Sequence, residues 1–491
     1  MSALGFAASF FAAAFLAAPS AFAGGLETPD NGTEALGRGG AFAAKADDPT
    51  ALHHNIGGLA QQGGTRLLVN ANVARNSLSF QREGVYEGDP GTTAWAGRRY
   101  PLAENQGGVA VLPFVAATSD FGTERMTFAL GTFAPHSVGG KVYPLVQNGA
   151  PSPARYDAIG GMPTLLLYHT AAMGYRVADW LDVGVGFHLV QAQIGTRLIA
   201  YMNKYCSGFE EAACDARGEA TTKGWSGTGS IGAMARLGEG LSAGLHFRGP
   251  APITTEGTAK IDPPSVAKGF EIPATRVMVQ TAMPWVVRGG VRKVFGRERS
   301  FAARGERGRG EPTEGTGDLE LDVVYEGWGS AMNPGPRVVL DDVKGVGRME
   351  RTVTKRYSNT LSVRVGGSYT LQGLSVPVTL RGGGYYDGSA TAGAYTRLDA
   401  DTLDKVALTA GVGVRFGSVR IDAAYASAFD FARTVKDGDL RSAEGAPAVN
   451  NGVFTGHTHI ASLGAVIELD RIFGGGRLPL PKPDGDRVAR R

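Results

Sequence analysis

The sequence predicts an all-β fold: a 14-stranded antiparallel transmembrane β-barrel with an N-terminal hatch, or plug, in its lumen. Three observations predict it. First, alternation of apolar and polar residues recurs in fourteen segments. In 358–371, Leu361, Val363, Val365 and Tyr369 fall on one face and Ser362, Arg364, Gly366 and Ser368 on the other, which is the period-two pattern of a strand with one apolar face. Second, the connections alternate short and long, as the two rims of an outer-membrane barrel do. Third, no run of about 18 apolar residues follows Ala23, so a helical span is excluded.

The chain opens with a secretory signal. Met1 to Ala23 carries no charged side chain, has an apolar run from Phe6 to Ala18 and ends Ala21-Phe22-Ala23. Such an A-x-A-like ending places cleavage between Ala23 and Gly24. The run is too short and too rich in small residues to suit an anchor helix, the alternative reading. The expected organisation is a signal over 1–23, a hatch over 24–62, a barrel over 63–469 and a polar periplasmic tail over 470–491. Residues 24–62 are rich in Gly and Ala and lack β-branched alternation, so short helices and turns are expected there.

The strands follow in order. The first spans 65–79. Strands 107–119 and 125–134 pair about Asp120-Phe121-Gly122, 164–177 and 181–196 about Ala178-Asp179-Trp180, and 223–237 and 241–261 about Gly238-Glu239-Gly240. Strands 283–295 and 318–328 flank a long, Arg-rich insert (296–317), which reads as a solvated loop where a short turn belongs. Strands 357–371 and 376–386 pair about Gln372-Gly373, 405–416 and 419–431 about Gly417-Ser418, and 456–468 is the last. Seven long and six short connections result.

Glycine is 73 of 491 residues, about double the usual share, which suits turns, kinks and tight lumen positions. The net charge of +3 gives no case for nucleic-acid binding. Cys206 and Cys214 lie in a polar segment of an exported chain and are expected to form a disulfide. The alternative, a metal pair, lacks a neighbouring His.

The stretch Gly32-Thr33-Glu34-Ala35-Leu36-Gly37-Arg38-Gly39-Gly40-Ala41-Phe42, followed by Ala46-Asp47-Asp48-Pro49-Thr50-Ala51-Leu52-His53-His54-Asn55-Ile56-Gly57-Gly58-Leu59, resembles the N-terminal hatch of the FadL/TodX family. Pro113-Phe114-Val115, Tyr175-Arg176, Trp180-Leu181, Glu256 to Ala259 and Glu326-Gly327-Trp328 extend the resemblance over nearly the whole mature chain. It implies passive uptake of long-chain fatty acids or aromatic hydrocarbons across a Gram-negative outer membrane, with both termini periplasmic. It also implies hatch or gating roles for Gly37, Arg38, Gly39, Gly40, Asn55, Ile56, Gly57, Gly58 and Leu59. The chain departs from the family's Asn-Pro-Ala at Asn55-Ile56-Gly57, from its aromatics at His53-His54 and from its C-terminal aromatic. Expected partners are a hydrophobic small molecule, outer-membrane lipid and the barrel-assembly machinery. No cofactor, metal or nucleic acid is expected, and the barrel is expected to be a monomer.

Moving an apolar solute past a polar saccharide layer favours an apolar pocket over a water-filled pore, since burial gains about 25 cal/mol per Å². In the third strand Met126, Phe128 and Leu130 share a face, then Gly131-Thr132 intervenes and Phe133 is apolar in the other phase. Such a flip suggests a bulge or kink, and the resemblance implies a kinked strand about here forming a lateral opening. An irregularity before Pro135 is the plainer reading. Glu320, Asp322 and Glu326 share the inward phase of one strand, and Arg364, Arg415, Arg420 and Asp422 that of nearby strands. Buried charges must pair, and an Arg among them could instead meet a substrate carboxylate. Two enzyme motifs fail on context. Gly240 to Gly244 (G-x-S-x-G) opens an alternating strand with no strand–turn–helix, and Gly227 to Gly232 (G-x-G-x-x-G) lacks a βαβ unit. A general diffusion porin and an outer-membrane lipase remain as alternatives; the first has no use for a plug, and the second lacks a convincing Ser-His set.

Overall fold

The computed structural model describes residues 31–88, 94–138, 141–157, 164–201, 206, 210–267, 273–296, 316–331, 333–343, 347–399, 403–442 and 445–472. The signal, its Ala23-Gly24 junction, most of the 296–317 insert and most of the tail lie outside these residues.

Fourteen strands close an antiparallel barrel. They are β1 (Thr65–Asn76), β2 (Ala110–Ser119), β3 (Met126–Val138), β4 (Thr164–Ala178), β5 (Leu181–Tyr201), β6 (Asp215–Gly238), β7 (Leu241–Arg248 with Ala251–Asp262) and β8 (Thr275–Met283 with Val286–Phe295). The rest are β9 (Gly317–Glu326, extended by Arg337–Val343), β10 (Gly347–Thr352 with Thr360–Thr370), β11 (Val378–Asp387), β12 (Lys405–Phe416), β13 (Val419–Asp430) and β14 (His457–Glu468). Closure is made by β14 on β1, from Arg66↔Glu468 to Asn76↔Thr458. A closed sheet leaves no unpaired edge, the condition for crossing lipid with strands.

Several strands differ from expectation, and β6 begins earlier, at Asp215. β7 is interrupted at Gly249-Pro250 and β8 at Pro284-Trp285, and β8 starts earlier, at Thr275. Prolines cannot donate to a ladder, so the breaks fall beside them. β9 ends at Glu326, and Trp328 belongs to a short helix, Trp328–Ala331.

Alternation resolves into a lipid face and a lumen face. On β5, Val185, Phe187 and Leu189 are exposed, while His188 and Val190 are buried. Phe121, Tyr175, Trp180, Tyr369 and Phe416 ring the short-turn rim; Trp225, Tyr425 and Phe429 stand toward the long-loop rim. Aromatic girdles flanking an apolar band mark the two membrane interfaces of such barrels.

Above the long-loop rim the connections pack on one another. Leu78, Phe80, Ala103, Tyr143, Ala154, Leu398, Leu403, Val435 and Phe454 share one buried cluster. Cys206 and Cys214 are bonded, with Cα atoms 6.3 Å apart. Beside them Glu210 accepts both terminal nitrogens of Arg82 at 2.6 Å. Asp215 accepts from Arg155 at 2.9 Å and from the Tyr156 hydroxyl at 2.7 Å.

Candidate functional site: the sealed lumen and the open seam

Residues 31–62 sit inside the barrel as two short helices, α1 (Thr33–Gly37) and α2 (Ala51–His54), and a 3-10 turn, Ile56–Gln61. Gly37, Arg38, Gly39, Gly40, Asn55, Ile56, Gly57, Gly58 and Leu59 are all buried. Glycines on the wall admit the hatch backbone. A Cβ on Gly366 would overlap the Arg38 carbonyl oxygen, and a Cβ on Gly131 would lie 2.7 Å from Leu52 Cδ1 and 2.9 Å from Ala116 Cβ. The high glycine content therefore reflects close approach as well as turns.

Asn55, followed here by Ile56, is held by its own side chain. Its amide donates to the carbonyls of Ala43 (2.8 Å) and Ala233 (3.0 Å), and its Oδ1 accepts from Gly57 N (3.0 Å). The side chain caps the 3-10 turn and ties it to both hatch and wall.

Charge fixes the hatch to β9 and β13. Arg38, with no exposed surface, donates to Asp318 at 2.7 Å and to Glu320 at 3.1 Å. Asp322 accepts from the Phe42 and Ala43 amides at 2.8 Å each, and Glu320 accepts from Ala44 N at 2.7 Å. Farther round the wall Arg420 of β13 reaches Glu34 (2.8 Å), Asp48 (3.1 Å) and Asp422 (2.7 Å), and Arg381 of β11 reaches Asp422 at 2.9 Å. Removing one partner from such buried pairs strands the other, a loss of about 3–5 kcal/mol.

Of the seven charges expected in the lumen, Glu320, Asp322 and Arg420 thus bind the hatch, and Asp422 holds the wall arginines Arg420 and Arg381. Arg415 instead holds Glu468 at 3.1 Å beside the β1–β14 closure. Glu326 accepts from the Trp328 indole at 2.5 Å. Arg364 faces inward, its Nε and Nη1 buried without a hydrogen-bond partner. Sequence reasoning missed Glu34, Asp48, Asp318 and Arg381, whose partners lie hundreds of residues away.

Toward the long-loop rim the lumen becomes aromatic. Phe133 stacks on Phe114 at 4.7 Å and on Tyr168 at 5.9 Å, and His53 of α2 meets its edge at 5.5 Å. His53 is anchored by Arg288, which donates to its carbonyl at 2.7 Å. The His53-His54 pair therefore serves packing: His54 lies 5.3 Å from Phe42 and its Nε2 is 2.8 Å from the Asn31 carbonyl. No cluster of three or more metal-ligating side chains exists among the described residues.

The wall parts at this level. The β2–β3 ladder runs from Ser119↔Phe128 to Phe114↔Phe133 and stops. Beyond it β2 stays paired with β1 up to Ala74↔Ala110, while β3 slips at Ala134-Pro135 and rejoins β4 at His136↔Leu166. Pro113 and Pro135, which have no N–H to give, flank the parting.

This corrects the expected position of the kink. Gly131 and Thr132 are laddered on both sides, to Ala116 and Val115 of β2 and to Thr170 and His169 of β4. Phe133 is buried in the same inward phase as Thr127 and Ala129, while Phe128 and Leu130 are exposed. The phase flip in the sequence records a change in lumen polarity, because an aromatic cluster replaces small and polar side chains; the backbone irregularity comes at Ala134-Pro135.

No protein-family model and no curated protein sequence matches the chain. Solved structures do. A Pseudomonas aeruginosa FadL homologue superposes with a TM-score of 0.69 at 17% identity, covering 91% of this chain and 100% of that one. The Ralstonia pickettii toluene transporter TbuX gives 0.61 at 16%, covering 90% and 99%. The Pseudomonas putida toluene transporter TodX gives 0.61 at 13%, covering 90% and 99%. The chain has the fold of these channels from end to end of each of them.

Proposed function

We propose that the chain is an outer-membrane channel for passive uptake of hydrophobic compounds, long-chain fatty acids or aromatic hydrocarbons, with the long-loop rim outside and both termini periplasmic. The observation that carries the reading is the pairing of a sealed lumen with a parted wall. The hatch is bound to two separate strands, β9 and β13, through Arg38 and Arg420, while the β2–β3 ladder ends at Phe114↔Phe133. The Phe133, Phe114 and Tyr168 rings are fully buried against the hatch, so a solute entering from outside must part them to reach the seam. Desolvation against those rings captures it, and the parted strands give it a way into the membrane. The shared fold with the toluene transporters TbuX and TodX supports the same reading. The barrel is proposed to act as a monomer with no cofactor and no catalytic residue, and to depend on the barrel-assembly machinery for insertion.

The test pairs uptake with conductance. Cells expressing the protein should take up a radiolabelled long-chain fatty acid or an alkylbenzene, and purified protein in planar bilayers should conduct little. Deleting 27–62 should open a stable conducting pore. Large open channels in the intact protein, with no uptake of apolar solutes, would identify a diffusion porin instead.

A further inference from the structure

Asp322 of β9 and Arg364 of β10 stand directly opposite each other in the barrel wall, and both are buried on the lumen side. Opposite side chains on adjacent strands have Cβ atoms about 4.5–5.5 Å apart, so a carboxylate and a guanidinium there are within reach of each other. They do not meet. Asp322 Oδ2 accepts instead from the Phe42 and Ala43 amides of the hatch, at 2.8 Å each. Its Oδ1 leans over Gly290 of β8, on the side away from Arg364, and has no hydrogen-bond partner among the described residues. Arg364 Nε and Nη1 are buried with no such partner either, and the guanidinium forms no ion pair among the described residues.

Charges left apart in this way are costly, since each is buried without its natural counter-ion. The seated hatch accounts for the separation. Arg38 supplies the cation for Asp318 and Glu320 of the same strand, and its carbonyl lies on Gly366, the next residue in the inward row of β10. The Phe42, Ala43 and Ala44 amides satisfy Asp322 and Glu320 from the lumen. If the 38–44 segment lifts away, Glu320 and Asp322 lose these donors together. Arg292 remains with Asp318, and Arg364 is the wall cation opposite Asp322.

We propose that Arg364 is the standby partner of Asp322: when the 38–44 segment withdraws, the carboxylate turns across the ladder from Gly290 to Arg364 and pairs with it. A carboxylate handed from hatch amides to a wall guanidinium keeps charge-assisted hydrogen bonds in both arrangements. The exchange lowers the cost of releasing the hatch and adds nothing to the seated state. A solute that must part the rings packed against His53 needs a hatch that yields and reseats, and Arg364 gives the wall a second, discrete arrangement for the yielded state. The inference concerns release of the hatch and stands apart from the identity of the solute.

Hydrogen exchange of a peptide covering 42–44 reads the withdrawal directly, because two of its amides bond to Asp322 and the third to Glu320. Wild type, Arg364→Met, Arg364→Lys, Asp322→Asn and the Asp322→Asn, Arg364→Met double variant are compared in detergent, with heat-modifiable gel mobility confirming each folded barrel. Arg364→Met should slow this exchange about tenfold or more, the fold-change of one hydrogen bond to a charged group, with an unfolding temperature no lower than that of wild type. Arg364→Lys should restore part of the rate, and in the Asp322→Asn background Arg364→Met should have no further effect. Unchanged or faster exchange in Arg364→Met, equal slowing in both backgrounds, or a lower unfolding temperature would overturn the exchange of partners. Slower uptake of a long-chain fatty acid by Arg364→Met, with alkylbenzene uptake and hatch exchange unchanged, would overturn it in favour of a carboxylate site at Arg364.

Discussion

Phe133 lies on Phe114 with ring centroids 4.7 Å apart and planes 17° from parallel, and the ladder between the second and third strands ends at this pair. The stack closes the lumen side of the seam at its lowest point, and His53 of the hatch touches the same ring. Hatch, aromatic cluster and the end of the β2–β3 ladder therefore meet at one side chain.

Gly131 lies two residues before that ring and faces the hatch. Gly131→Val would drive methyl groups into Leu52 and Ala116, where even a Cβ is too close. Overpacking of this kind costs about 1–3 kcal/mol. The expected outcome is a folded barrel whose hatch sits loosely. Planar-bilayer recordings should show larger and noisier currents than wild type, with Gly131→Ala in between.

Arg38 has two carboxylate partners and no exposed surface. Arg38→Ala leaves Asp318 and Glu320 buried with their shared cation gone, although Arg292 still reaches Asp318 at 2.5 Å. A loss of about 3–5 kcal/mol is expected for a broken buried pair. Thermal unfolding in detergent, followed by gel mobility, should shift to lower temperature, and the hatch should become cleavable by protease before the barrel unfolds.

The cap over the long-loop rim should respond to pH through Asp157. Burial and the neighbouring Asp399 push its carboxyl up to about 7, against the Arg397 and Lys355 charges and the Leu398 amide, which donates to it at 2.5 Å. A carboxyl whose folded pKa lies above its unfolded value of about 4 binds more protons when folded. Cap stability attributable to this group therefore falls as pH rises from about 4 to about 7. Hydrogen exchange of the 141–157 and 390–399 segments should be slower at pH 5 than at pH 8, after correction for intrinsic rates, and Asp157→Asn should flatten the difference.

The Cys206–Cys214 bond closes the loop that carries Glu210, the carboxylate gripping Arg82. Thiol labelling of denatured, unreduced protein should find no free thiol. Cys206→Ser with Cys214→Ser should make the 202–214 loop more protease-sensitive while barrel assembly is unaffected.

The barrel was legible in the sequence because each strand carries its own period-two record. β12 and β13 stand at 405–416 and 419–430, set by the Gly417-Ser418 turn. The hatch was legible through its motif and its lack of alternation. The site was less so. Glu320, Asp322 and Arg420 could be placed inward by phase, but their partners in the hatch depend on how distant segments dock. Phe133 misled because lumen-facing positions are polar on most of the wall, so an inward aromatic reads as a change of phase. Pro113 and Pro135 held the better signal for the seam, since a missing N–H ends a ladder wherever it falls.

The central claim is that solutes leave through the seam between β2 and β3. Pro113 and Ala134 are the pair that would continue the ladder past Phe114↔Phe133. A Pro113→Cys, Ala134→Cys variant can be locked by oxidation and released by reductant, with reductant-treated wild type as control for the native disulfide. Uptake of a long-chain fatty acid or an alkylbenzene should be lost in the locked form and recover on release. Full uptake through a barrel whose seam is verified as crosslinked would contradict the account and route the solute past the hatch into the periplasm.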